Sequence, residues 1–356
     1  MKKHIIIILM VLFATQLSAQ HPNDPRYKKY EGRYGGNDGI CLFEDGYFLL
    51  YGYATAVFGS YCFEKDYLLF YPDKPELFQV YAYENKSIGD SVRINFTGFE
   101  NGATFARFDK DSIRRVFNEE ANCFDAPFVY SGPLPFRQLS LSQWSSEEEG
   151  DLQNPNISWL YTIPSNYNDF IFVYNKPKSV YQDFAAVISG QDGELCLKKD
   201  GYLDRQGYPC RLNIKEDKEW PEIVKWKDQY FENKNKGDAV FANRHYNSFP
   251  APDSNVYNYD TNTNQYISKD YLENEEYFKQ NEYNDDRFLR KYNKLQSNTQ
   301  EPFDYKQQTI TSGSIFYTTC EEPDKSYKYK GLKKADSAND GAIPVTTVPV
   351  PMPPNQ

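Results

Sequence analysis

The chain has 356 residues, a formal net charge of −10, and 17% aromatic residues within only 40% hydrophobic ones. An acidic chain without clustered Lys and Arg repels phosphate, which excludes nucleic acid as a partner. No internal apolar run reaches the length of a membrane helix, so no membrane span is expected.

Residues 1–19 read as a secretory signal peptide. Lys2 and Lys3 form a basic start, Ile5 to Phe13 an apolar core, and Ser18-Ala19 a small-residue cleavage site. No cysteine follows that site, so no lipid anchor is expected. Losing Lys2 and Lys3 takes the net charge from −10 to −12. The mature chain is expected to be bacterial, exported and soluble, in the periplasm or outside the cell.

Residues 20–130 read as a β-rich domain. Aromatic and β-branched runs such as YFLLYGY, AVFGSYCF, YLLFY and LFQVYAY alternate with breakers such as EDG, EKD and PDKPE. Val92, Ile94 and Phe96 alternate with Arg93, Asn95 and Thr97, the period of a half-buried strand. Asn101-Gly102 predicts a hairpin turn, because a type I′ turn needs positive φ at both central residues. The pattern is that of an antiparallel meander, closed as a small barrel or folded as a sandwich.

Residues 131–156 carry prolines, serines and an acidic run, and read as a linker or long loop. Residues 157–249 form a second strand-rich region. A helix is expected near 221–232, where Trp220, Ile223, Val224, Lys227, Tyr230 and Phe231 share one face. Residues 250–331 form a Tyr/Asn-rich, polar extension. A helical stretch is expected within 269–295, with Ser268 as its cap and Phe288, Tyr292 and Leu295 on one face. Residues 332–356 read as a disordered Pro-rich tail. The fold class is therefore mainly β.

A short repeat runs through the two strand-rich regions. CLFEDGY at 41–47 returns as CLKKDGY at 196–202, each preceded by Asp-Gly and followed by Gly-x-x-Cys. In each copy Cys-Leu ends a strand, Asp-Gly makes the turn and Tyr opens the next strand. Six cysteines in an oxidising compartment favour disulfides. The repeat suggests Cys41 with Cys62 and Cys196 with Cys210, leaving Cys123 and Cys320 to pair or stay free.

No catalytic, cofactor-binding or metal-ligating set emerges. Past the signal only His21 and His245 remain, and GxSxG, HExxH and P-loop motifs are absent. Asp260, Asn262 and Asn264 share the first three spacings of a calcium loop. Gln265 stands where that loop needs glycine, and Tyr271 where it needs glutamate, so a polar loop is expected.

Gly32-Arg33-Tyr34, ahead of the meander, resembles the Gly-x-Trp that opens the first strand of lipocalin-type barrels, with tyrosine in place of tryptophan. The resemblance implies an up-and-down barrel.

The 31 tyrosines either build and cover the sheets or form stacking faces for flat ligands. The function expected is non-catalytic binding of a glycan or a small amphipathic molecule. The alternatives are a polysaccharide hydrolase using a carboxylate pair, and an interaction protein that docks an envelope protein through its Tyr/Asn-rich extension.

Overall fold

A computed structural model describes residues 24–133, 136–145, 156–191, 194–199, 211–212, 214, 216–236, 238–304, 306 and 308–331. The segment expected to be a signal peptide, Cys210 and the Pro-rich segment expected to be a disordered tail lie outside the described residues.

The chain first forms α1 (Pro25–Tyr30), β1 (Gly32–Gly35), β2 (Gly39–Leu42), β3 (Tyr47–Gly52), β4 (Thr55–Glu64) and β5 (Tyr67–Pro72). It continues through β6 (Phe78–Tyr83), β7 (Ser91–Thr97), β8 (Ala103–Phe108), β9 (Ile113–Phe117), β10 (Phe128–Pro133), β11 (Gln138–Trp144), β12 (Ile157–Thr162) and β13 (Asp169–Tyr174). Then come β14 (Phe184–Gln191), β15 (Glu194–Lys199) and α2 (Trp220–Lys236). The last stretch holds β16 (Ala239–Ala242), β17 (Ser248–Phe249), β18 (Tyr257–Asp260), β19 (Gln265–Ser268), α3 (Glu275–Gln280), β20 (Phe288–Leu295), β21 (Thr299–Pro302) and β22 (Ile310–Phe316). The fold is mainly β, with one long helix. No helix among the described residues is long and apolar enough to cross a membrane.

Two compact units divide these elements. One takes β1–β5, β14, β15 and α2; the other takes β6–β13 and β16–β22. The strands of residues 20–130 are thus shared between both units. Local periodicity identifies a strand but not the sheet it joins.

The first unit is one antiparallel sheet in the order β1-β2-β3-β4-β5-β14-β15. It curls until its ends nearly meet. Arg211 bridges to Tyr34 of β1, and its amide donates to the Leu195 carbonyl of β15 at 2.7 Å. Strand alternation sends Tyr34, Ile40, Leu42, Phe48, Tyr61, Phe70 and Leu197 into the barrel, which they fill. Helix α1 adds Tyr27, whose ring lies 4.9 Å from Phe63. Core hydroxyls are spent on backbone carbonyls: Tyr34 donates to Tyr30 at 2.8 Å and Tyr61 to Phe43 at 3.0 Å. Gly32 sits at φ +142°, and a Cβ there would meet the Arg211 stem at 2.9 Å, so glycine is required where Arg211 crosses β1.

The two repeat copies occupy opposite ends of this sheet. Cys41-Leu42 lies in β2 and Cys196-Leu197 in β15, and both leucines point into the barrel. Gly46 of the first turn has φ +81°, as Asp-Gly turns require. The opposite face of β2–β4 carries α2. Trp220, Ile223, Val224, Tyr230 and Phe231 pack on Cys41, Phe43, Leu49 and Phe58. This is the face expected from the sequence.

The second unit is a sandwich. One sheet runs β10-β7-β13-β6-β20-β16-β17, extended from β20 by β19 and β18; the other runs β21-β12-β11-β8-β9-β22. Between them lie Phe78, Val80, Ile94, Phe96, Leu139, Leu141, Phe170, Phe172 and Phe316. Three local expectations fail here. Asn101-Gly102 does not close a hairpin: β7 pairs with β10 and β13, while β8 pairs with β9 and β11. The segment crosses between sheets through a 3₁₀ turn at Phe99–Asn101, with Gly98 at φ +82°. The expected linker at 131–156 contains β11, whose Leu139 and Leu141 alternate with serines into the core. The expected helix within 269–295 is reduced to α3, and Phe288–Leu295 is strand β20. Phe288 and Tyr292, four apart, share a face in either geometry; partners on β6 and β16 select the strand.

Candidate functional site

Two groups of side chains in the second unit have the chemistry of a site. One is a buried ionic cluster around β13. The other is a row of aromatic rings on β18, β19 and β16.

Asp169 opens β13 and is fully buried. Its Oδ2 accepts from Asn85 Nδ2 at 2.6 Å and from Arg290 Nη1 at 3.2 Å; its Oδ1 accepts from the Tyr246 hydroxyl at 2.8 Å. Arg93 stacks on the Tyr246 ring, 5.4 Å from its centroid. Burial, then the Asp169 carboxylate, pushes the Tyr246 phenol well above its usual range. Both carboxylate oxygens are committed, so the cluster ties the loop after β6, β13, β20 and the β16–β17 turn together.

His245 belongs to the same turn and is buried. Arg244 Nε donates to His245 Nε2 at 2.9 Å, which leaves the ring proton on Nδ1, 3.0 Å from the Tyr329 hydroxyl. Burial, then the charge of Arg244, lowers the imidazole to about 4. His245 is a neutral tether for the segment around Tyr329.

The aromatic row is built differently. YNYD and QYIS flank Thr261-Asn262-Thr263-Asn264, so β18 and β19 form a hairpin with Tyr259 opposite Tyr266. The tip is rigid by its own chemistry. Asp260 accepts from the Asn262 amide at 2.9 Å and the Thr263 hydroxyl at 2.7 Å, and Asn264 takes φ +60°. Asp260, Asn262 and Asn264 thus lie in a hydrogen-bonded turn. Beyond the turn, Tyr83 donates to the Thr263 and Asn264 carbonyls at 3.0 Å, and Asn264 Nδ2 donates to Glu84 O at 3.0 Å.

Tyr259 and Tyr266 stand 5.1 Å apart by ring centroid, and Tyr266 stands 5.5 Å from Phe241 of β16. Strand pairing puts all three on one face. Tyr266 opposes Leu289 and Phe241 opposes Lys291, two residues on along β20. Leu289 is buried on that face, while Tyr259 is 51% exposed. The Tyr259 hydroxyl donates to Asn264 Oδ1 at 2.5 Å, which fixes the outermost ring. Lys291 is exposed on the same face. The result is an edge of flat apolar rings beside amide, hydroxyl and ammonium groups.

Sequence reasoning did not single out Phe241, Tyr259 or Tyr266. The signal was present as Tyr257, Tyr259 and Tyr266 at strand spacing around a Thr/Asn turn.

Two clefts elsewhere among the described residues are lined mostly by charged and polar residues. One of about 330 Å³ lies among Arg33, Asp217 and Glu219; another of about 150 Å³ lies among Arg107, Gln138 and Asn298. Neither presents an exposed tyrosine face.

One pair that the repeat left open forms a disulfide. Cys123 bonds Cys320, with Cα atoms 5.2 Å apart. Cys196 is disulfide-bonded, and its expected partner Cys210 lies outside the described residues. The expected Cys41–Cys62 bridge does not form; both are free thiols. Cys41 opposes Leu49, which opposes Phe58, so Cys62 lies two strands across and four residues along. That is about 10 Å by about 13 Å, against a bridging limit of about 7 Å between Cα atoms.

Comparison of the chain with protein-family models, curated proteins and solved structures finds no match.

Proposed function

We propose that the protein is an exported, non-catalytic binding protein whose ligand is a glycan, held on the row Tyr259–Tyr266–Phe241. Export rests on the signal-like residues 1–19. The binding reading rests on one observation: three adjacent rings on one sheet face, beside fixed polar groups. Sugar rings present C–H faces to aromatic planes and hydroxyls to amides and ammonium groups. This edge offers the matching set in a pre-organised form, which lowers the ordering cost of binding. The filled barrel directs the reading away from a barrel mouth and toward the sheet surface.

The experiment is an array of bacterial and plant oligosaccharides probed with the mature chain and with Tyr259→Ala. Support is a set of related glycans bound by the mature chain and lost in the variant. An empty array, or equal binding by both proteins, contradicts the reading.

A further inference from the structure

A second exposed apolar surface lies a short distance along the chain, and its chemistry differs from the aromatic row. Leu272 is 75% exposed, Tyr277 56%, Tyr271 41% and Phe288 36%. Four large apolar side chains exposed between residues 271 and 288 make the kind of patch that marks an interaction surface. It is held in shape from within. Arg287 lies over Phe278 at 4.4 Å and over Phe288 at 5.8 Å. Its guanidinium is anchored by Asp285 at 2.9 Å and by the Tyr271 carbonyl at 3.0 Å. Tyr271 in turn meets Phe288 at 5.9 Å, and Tyr277 meets Phe278 at 5.2 Å.

The rim is acidic on balance. Residues 269–287 hold seven carboxylates against three cations, Lys269, Lys279 and Arg287. Asp270, Glu273 and Glu276 are exposed and have no cationic partner among the described residues. Like charges crowded around an apolar patch repel one another until an opposite charge arrives. Exposed tyrosine faces also attract ammonium and guanidinium groups.

We propose that Tyr271, Leu272, Tyr277 and Phe288 form a docking surface for a protein segment carrying lysine or arginine beside an apolar anchor. The anchor covers Leu272 and Phe288. The cations meet the carboxylate rim and the tyrosine faces. The rim steers the encounter and selects against acidic partners, while the apolar centre supplies the residence time.

A random twelve-residue peptide display library, selected against the intact mature chain, tests this. The expected result is enrichment of peptides with net positive charge and an aliphatic or aromatic anchor. A representative peptide is expected to bind about tenfold more weakly to Leu272→Asp, to the charge reversal Glu273→Lys/Glu276→Lys, and in 0.5 M salt. Tyr259→Ala is expected to leave peptide binding unchanged, which separates this surface from the glycan reading. Leu272 is exposed, so its replacement leaves the core intact, and circular dichroism confirms folding. No enrichment, enrichment of neutral or acidic peptides, or equal binding by the variants overturns the proposal.

Discussion

Lys227, on the buried face of α2, forms an ion pair with Asp45 in the Asp-Gly turn of CLFEDGY. Its ammonium also lies 5.2 Å from the Phe43 ring. The aliphatic stem extends the apolar face of α2 while the charged end reaches the turn. Asp45 is 41% exposed, so solvent screens much of the attraction. Lys227→Ala, which removes stem and charge together, is expected to cost about 1–2 kcal/mol. Asp45→Asn is expected to cost less than about 1 kcal/mol. Urea unfolding followed by circular dichroism measures both, and equal effects would show that the stem contributes nothing.

The ionic cluster is the most demanding part of the second unit. Asp169→Ala would leave Arg290 buried without its carboxylate, at an expected cost of about 3–5 kcal/mol. Joint replacement by Asp169→Leu and Arg290→Met is expected to cost less than the single change, because no charge is then left unpaired. Denaturant midpoints of the two variants decide the order. A single variant as stable as the parent contradicts the assigned role.

His245 makes stability depend on pH. Its folded value is lowered to about 4 from an ordinary 6.5, so the unfolded chain takes up the proton first. The contribution is fully present above pH 6.5 and is lost as pH falls through that value toward 4. The lost amount is on the order of 3 kcal/mol. His245→Gln is expected to lessen the drop in stability between pH 7 and pH 4. Parallel pH curves for parent and variant would remove His245 as a source of acid sensitivity.

The Cys123–Cys320 bond closes a loop across a sequence separation of 197 residues. Chain-entropy reasoning assigns such a loop up to about 5 kcal/mol. Cys320→Ser is therefore expected to lower the unfolding midpoint substantially. Native alkylation followed by non-reducing peptide mapping is expected to label half-exposed Cys62 well before Cys41. Cys41 is buried, and burial pushes its thiol up to about 12. A Cys41–Cys62 crosslinked peptide would contradict the free thiols.

What the sequence revealed follows from the range of each signal. The α2 face and the Asp45-Gly46 turn were legible because residues close in sequence determine them. The strand character of Val92, Ile94 and Phe96 was legible for the same reason. The sheet a strand joins was not, since β7 finds β13 and β6 finds β20 across long separations. Asn101-Gly102 has hairpin chemistry, yet its flanking strands have better partners elsewhere. Leu139 and Leu141 were hidden by the prolines and serines around them. Phe288 and Tyr292 carried a spacing that helix and strand share. The aromatic row went unseen because Phe241 reaches Tyr266 only through β20.

We propose that the row Tyr259–Tyr266–Phe241 binds a glycan through its ring faces. Isothermal titration calorimetry of the strongest array glycan against the parent, Tyr259→Ala, Tyr266→Phe and Tyr266→Ala tests it most directly. Loss of a ring is expected to weaken binding about tenfold or more, at about 1–2 kcal/mol per face. Tyr266→Phe keeps the face and is expected to stay within about threefold of the parent. Unchanged affinity in Tyr259→Ala and Tyr266→Ala, with both variants folded, would rule out binding through these ring faces.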